Sequence, residues 1–244
     1  MGEPVAEQEH DEDQDLDHEE DHTGPLTDRD GPAQIAIVDD HTIVRHGIAE
    51  LLSREPDLDV IAEAGDAEEA LEMIQARDDL DMVIVDISMP GMSGIDLIKR
   101  VIEIRPGLPI LVMSMHDESL YSDRAYRAGA KGYVMKQEAS DKLLQAVRKV
   151  LKGGVYVSDR MQTIMLQRYL NTGDSVSFID NLTDREFEIL RLIGQGLSVQ
   201  DIAKKLGRSA KTIEAHRANL REKLGIRKAA ELTRFATQWV ERGN

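Results

Sequence analysis

From residue 35 to residue 151 the chain alternates short apolar runs with amphipathic stretches of helical length. The runs lie at 35–38, 60–64, 82–85, 110–113 and 132–135, and the helical stretches at 43–52, 68–75, 95–104, 120–128 and 142–151. Five strands alternating with five helices predict an α/β fold, a doubly wound five-stranded parallel sheet. Turn-forming residues fall between the periodic segments: Pro56, Asp66, Pro106 with Gly107, Gly129, and Gly153 with Gly154. Ser140 is placed to cap the last helix and Gly153 to stop it.

The pattern then changes. Asp159–Leu170 reads as a short helix on a linker, and 171–181 as the linker's flexible part. From Leu182 closely spaced helices follow without a strand signal. Thr183 and Glu186 form a capping box that opens a helix with Phe187, Leu190 and Ile193 on one face, ended by Gly194 or Gly196. Ser198 caps a short helix over 199–206 with Gly207 as its stop, and Ser209 caps a third over 210–224 with Ile213, Leu220 and Leu224 inward. Two helices joined by a tight glycine-containing turn form a helix-turn-helix, whose second helix enters the DNA major groove. A last helix at 228–240 carries Leu232, Phe235, Ala236 and Trp239 at helical spacing. The expected organisation is an acidic tail at 1–32, the α/β domain at 33–154, a linker at 155–180 and an all-α domain at 181–244.

Composition narrows the classes of function. There is no cysteine, which excludes a disulfide framework, a thiolate metal site and a cysteine nucleophile. The first residues lack the basic and apolar regions of a secretory signal, and no apolar run approaches the length of a membrane span, so a soluble cytoplasmic protein with no membrane contact is expected. The formal net charge of -16 is unevenly spread. Residues 1–30 hold thirteen acidic residues against one Arg, whereas 181–244 hold eight acidic against thirteen basic, which points to a nucleic-acid module at the C-terminal end. The tail has too few apolar side chains to offset its ordering entropy and is expected to be disordered. Its His10, His18 and His22 stand among carboxylates, but nothing preorganises them to hold a metal ion.

The strand ends carry candidate chemistry. The run 82–85 stops at Asp86, with Pro90, Gly91 and Gly94 close behind; the first strand ends in Asp39 and Asp40, the fourth in Ser114, and Lys136 follows the fifth. The carboxyl ends of parallel strands in an open sheet converge on one crevice. Three clustered carboxylates resist joint ionisation unless a cation compensates them, and Mg²⁺ suits such a donor set. A carboxylate beside a metal and an ammonium group can accept a phosphoryl group as an acyl phosphate. Asp86 has the position of that nucleophile, Asp39 and Asp40 that of the metal, and Lys136 that of the cation, while Ser114 can donate a hydrogen bond to a phosphoryl oxygen. Each residue alone has a blander use: a helix cap for Asp39 or Asp40, a turn for Asp86 or Ser114, a surface cation for Lys136.

Taken together, IVDDH, VDISMPGMSG, VMSMHD and GAKGYVMK resemble the receiver domain of two-component response regulators over residues 34–154. The resemblance implies that Asp86 is phosphorylated by a sensor histidine kinase, and that Asp40, Asp86 and the backbone carbonyl of Ser88 bind Mg²⁺ with Asp39 assisting through water. It also implies a switch in which the Ser114 hydroxyl moves toward the phosphoryl group and the Tyr133 ring turns inward. One departure is Gln137, where many receivers carry a proline after the lysine, so no cis peptide is assumed there.

The predicted recognition helix presents Lys211, Thr212, Glu214, Ala215, Arg217, Ala218 and Arg221 outward. Its cations suit phosphates, its alanines allow close approach to base edges, and Glu214 either accepts from cytosine or pairs with Arg217 or Lys211. His216 reads as a packing or backbone-contact residue, with no second ligand at metal spacing. Residues 182–226 resemble the LuxR-type helix-turn-helix of the NarL/FixJ response regulators, which implies double-stranded DNA binding and a homodimer formed through the helix at 228–240. The expected function is a phosphorylation-activated transcription regulator rather than an enzyme. An aspartyl-phosphate phosphatase of the haloacid-dehalogenase type is disfavoured because Ser88 stands where its general acid would be. The intact acidic site argues against a receiver that serves only as a constitutive dimerisation module. An RNA-binding antiterminator is disfavoured because the C-terminal helices offer no aromatic RNA platform.

Overall fold

The computed structural model describes residues 31–138, 140–170 and 178–242. All but the last two residues of the expected tail, its histidines, and most of the expected flexible linker lie outside them. The first unit comprises β1 (Ala33–Val38), α1 (Thr42–Leu52), β2 (Leu58–Ala64), α2 (Ala67–Gln75), β3 (Met82–Val85), α3 (Gly94–Ile104), β4 (Ile110–Ser114), α4 (Glu118–Ala128), β5 (Gly132–Met135) and α5 (Ser140–Leu151). The sheet is wholly parallel in the order β2-β1-β3-β4-β5, so the chain doubles back once and opens a crevice at the carboxyl ends of β1 and β3. β3 and β4 are buried throughout because helices cover both faces of the sheet. Ile35, Ile37, Ile84 and Leu111 pack toward α1 and α5, and Ala36, Val38, Val83 and Val85 toward α2, α3 and α4.

Local sequence sets the boundaries. Asp66 caps α2 by accepting from the amides of Glu68 and Glu69, both at 2.9 Å, and Ser93 and Asp117 cap α3 and α4 in the same way. Gly129 ends α4 in a left-handed conformation, φ 114°, and Gly153 follows α5 at φ 77°. Ser140, expected as the cap of α5, is instead its first residue. Gly94 is required by space: a Cβ there would lie 2.1 Å from the carbonyl oxygen of Asp86.

The second unit follows α6 (Asp159–Leu170) and a 3-10 turn at Phe178–Asn181, and comprises α7 (Asp184–Gly194), α8 (Val199–Lys205), α9 (Ala210–Lys223) and α10 (Ala229–Arg242). The Thr183–Glu186 capping box opens α7, and Ser198 and Ser209 cap α8 and α9. Of the two expected stops for α7, Gly196 takes the left-handed conformation, φ 82°. Gly194 serves packing instead, since a Cβ there would meet the backbone oxygen of Ala236 in α10 at 2.5 Å. Gly194→Ala is therefore expected to cost about 1–3 kcal/mol through overpacking between α7 and α10, read as a lowered midpoint in urea unfolding.

The two units share a core. Phe187 of α7 packs edge-on to Tyr121 of α4 at 5.0 Å and to Trp239 of α10 at 5.3 Å, with the Arg124 guanidinium 4.3 Å over its ring. Arg124 also donates to the carbonyls of Leu182 and Ile179 and to Asp184, at 2.8 to 2.9 Å. Lys99 of α3 reaches the other oxygen of Asp184 at 2.6 Å. One arginine of the first unit thus satisfies the backbone that leads into α7, where unpaired carbonyls would otherwise be buried.

Candidate functional site

Asp39, Asp40 and Asp86 arrive at one crevice because β1 and β3 are neighbours in register, Val38 beside Val85. One potential ligand atom from each, with one from His41, all lie within 4.8 Å of one another. Lys136, just beyond β5, reaches in from the far side, its Nζ 2.6 Å from Asp39 and 2.7 Å from Asp86. All three of these side chains are at least 96% buried. Burial pushes the Asp86 carboxyl above its ordinary pKa despite the Lys136 charge beside it. For Lys136, burial works against the charge, but Asp86 and Asp39 outweigh it and hold the pKa above its ordinary value.

The Oδ1 atom of Asp40 is buried and makes no hydrogen bond, although His41 Nδ1 approaches it to 2.7 Å. A carboxylate oxygen desolvated without a donor is costly, and a cation would satisfy it. Neither Asp39 nor Asp40 caps α1; His41 occupies that position and makes no side-chain cap bond. Asp86 does form a local turn, accepting from the Ser88 amide at 3.2 Å through Oδ1 while Oδ2 faces Lys136. The turn and the nucleophile's position therefore coexist.

Ser114 and Tyr133 stand on the adjacent strands β4 and β5. Ser114 is fully buried, and its Oγ accepts from the His116 amide at 3.2 Å. Tyr133, the ring expected to turn inward, lies inward here, 1% exposed, its hydroxyl donating to the His116 carbonyl at 2.9 Å. Burial raises the pKa of that phenol well above its ordinary value, so it stays a donor. No peptide bond is cis among the described residues, including the one before Gln137.

Sequence reasoning gave no role to His41, His116 or Arg191, and placed Gly91 only in the turn after Asp86. His116 lies inside the VMSMHD stretch, but its partners come from 28 residues upstream and 75 downstream, which no local pattern exposes. His41 was within reach, directly after the Asp pair.

On α9, Ile213 and Leu220 are buried and Leu224 is half-buried at its end. Lys211, Glu214, Ala215 and Ala218 are exposed, and Thr212, His216, Arg217 and Arg221 are partly so. Arg217 pairs with Glu214 at 3.4 Å, a long contact that leaves the exposed carboxylate able to accept from a base as well. The Thr212 hydroxyl bonds Ser209 at 2.8 Å. α8 and α9 meet at Gly207, φ 60°.

A phosphoacceptor-type crevice on a doubly wound sheet, joined to a helix-turn-helix unit, defines a DNA-binding response regulator. Residues 35–148 match the response regulator receiver domain, and residues 180–236 match the luxR family of bacterial regulatory proteins. The transcriptional regulatory protein UhpA of Escherichia coli K12 is 40% identical over 200 residues, covering 82% of this chain and 95% of UhpA. The chain belongs to the NarL/FixJ family of response regulators. RcsB of Salmonella enterica serovar Typhimurium, solved bound to promoter rprA in the presence of the phosphomimetic BeF3-, superposes with TM-score 0.58 at 29% identity, covering 84% of this chain and 98% of that one. A structure of two RcsB dimers bound to two parallel DNAs gives TM-score 0.53 at 29% identity, with the same coverage. No described helix is long and apolar enough to cross a membrane.

Proposed function

We propose that the protein receives a phosphoryl group on Asp86 from a sensor histidine kinase and, so modified, binds DNA as a dimer through α9. The observation that carries the reading is the crevice itself: Asp86 and Asp39 bridged by Lys136, beside a buried Asp40 oxygen that makes no hydrogen bond and has His41 Nδ1 at 2.7 Å. Asp39, Asp40 and Asp86 with the Ser88 carbonyl would hold Mg²⁺, Asp39 through water. When bound, the ion supplies positive charge against the carboxylates and the incoming phosphoryl oxygens.

In the transfer an Asp86 carboxylate oxygen bonds to phosphorus as the P–N bond to the kinase histidine breaks, and the departing imidazole takes a proton from water. Lys136 lies against the attacking carboxylate and moves to the phosphoryl oxygens as charge develops there. Ser114 gives up the His116 amide and donates its hydroxyl to the phosphoryl group. Lys211, Arg217 and Arg221 neutralise DNA phosphates, while Thr212, Glu214, Ala215 and Ala218 meet base edges and His216 steadies the helix against the backbone. Pairing of the α10 helices would present two copies of α9 to symmetric half-sites; that RcsB has been solved as dimers on DNA supports the dimeric reading alone.

The test is DNA binding by the full chain to duplexes selected from a random pool, with Mg²⁺, with and without acetyl phosphate. Tighter binding on phosphodonor addition by about 5–150-fold, the usual range of a coupling between two sites, is expected. Equal binding in both conditions would retain the DNA-binding role and remove the phosphoryl switch.

A further inference from the structure

We propose that His116 is the joint by which the phosphoacceptor crevice holds the DNA-binding unit, and that phosphorylation of Asp86 opens it. The inference rests on the phosphorylation reading above and adds the residues that transmit it. Four groups meet on this one side chain and its peptide. Its amide donates to Ser114 Oγ at 3.2 Å, and its carbonyl accepts from Tyr133 at 2.9 Å. Its Nε2 lies 2.5 Å from Ser88 Oγ, in the loop that follows Asp86. The same nitrogen lies 3.1 Å from Nη2 of Arg191, in α7 of the DNA-binding unit.

A guanidinium can only donate, so Nε2 is the acceptor and the ring proton sits on Nδ1. Ser88 and Arg191 then share the single lone pair of that nitrogen in a bifurcated contact. The ring is held by Tyr121, stacked at 4.8 Å, and the Arg191 guanidinium lies 5.5 Å over that tyrosine. The attachment is incomplete on one side: Arg191 is 8% exposed and its Nε makes no hydrogen bond. A buried cation with an unpaired donor gives up little on returning to water, which favours a contact that opens over one that locks.

A second contact lies on the neighbouring loop. Gly91, five residues after Asp86, donates its amide to the Leu206 carbonyl at 3.3 Å, and its carbonyl accepts from Arg185 and Arg208. Arg208 and Leu206 flank the turn that leads into α9. The DNA-binding unit is therefore held at the loops after β3 and β4, the two that carry Asp86 and Ser114. A phosphoryl group on Asp86 claims the Ser114 hydroxyl and crowds the Ser88 turn, and both are partners of His116. Moving them displaces the acceptor on which Arg191 depends, whereas the Arg124 and Lys99 contacts lie on helices away from the crevice.

Because the chain has no cysteine, spin labels can be placed specifically on Glu68→Cys and Glu222→Cys, both exposed, one in each unit. Distances between them are measured by double electron–electron resonance in Mg²⁺, with and without acetyl phosphate, with phosphorylation of Asp86 followed by mass spectrometry. The unmodified protein is expected to give mainly one docked distance. Acetyl phosphate, and separately His116→Ala or Arg191→Gln without it, should lower the docked-to-open ratio about tenfold, the change expected when a hydrogen bond to a charged group is lost. Phosphorylated Asp86 with an unchanged distance distribution would overturn the joint. Failure of Asp86 to be phosphorylated would instead overturn the reading on which it rests. The substitutions decide the joint independently: a docked population unchanged in whichever of the two variants retains its cooperative thermal transition overturns it.

Discussion

Asp86→Asn is expected to abolish phosphoryl incorporation from acetyl phosphate, seen as the absence of any added phosphoryl mass, and to make DNA binding indifferent to the phosphodonor. The substitution preserves shape: an amide oxygen can still accept from the Ser88 amide, which Asp86 now does at 3.2 Å. It removes a charge that burial already disfavours, and Lys136 keeps its second carboxylate partner, Asp39, at 2.6 Å, so the variant is expected to retain a cooperative fold. What disappears is the nucleophile, since a carboxamide oxygen forms no stable acyl phosphate. A variant that still takes up a phosphoryl group, or still tightens on DNA when the donor is added, would place the acceptor elsewhere.

The second large effect is expected at Lys136, where the loss is structural as well as chemical. Lys136→Met leaves Asp39 and Asp86 buried without the ammonium that now touches both, at 2.6 and 2.7 Å. Removing one partner of a buried ionic group costs about 3–5 kcal/mol, because the remaining charge is uncompensated. Metal-free protein should therefore melt well below wild type. Mg²⁺ should raise the melting temperature of the variant more than that of wild type, because the ion no longer competes with a resident cation for the same oxygens. Equal melting temperatures without metal, or equal shifts on its addition, would show that Lys136 does not balance these carboxylates.

The fold was legible because each strand is a single apolar run bounded by residues with strong local preferences. 82–85 and 132–135 coincide with the strands as formed, and the Thr183–Glu186 capping box is present in full. Misses at the edges have local causes: β2 begins at Leu58 rather than residue 60, because Leu58 and Asp59 pair with Ala33 and Gln34 although their own pattern is mixed. Asp39, Asp40, Asp86, Ser114 and Lys136 could be gathered in advance because parallel strands bring their ends to one edge whatever the details of packing. His116 could not. Its role depends on a ring nitrogen that meets Ser88 and Arg191, and side-chain meetings across units leave no periodic trace. The outward face of α9, by contrast, was legible, because Ile213 and Leu220 recur at helical spacing and turn the polar residues between them away from the core.

The chain beyond α5 bears on how the first unit can be isolated. Tyr156 pairs with Gly132 on the outer side of β5, its amide bonding the Lys131 carbonyl at 2.8 Å, and its own carbonyl accepts from the Tyr126 hydroxyl at 2.9 Å. Ser158 then donates to the buried Glu118 carboxylate at 2.6 Å. β5 is the last strand in the sheet order, so these few residues act as its selvedge. A fragment trimmed after Gly154 would bare a strand edge able to template pairing with other molecules, while one ending at Leu170 would keep that hem sewn.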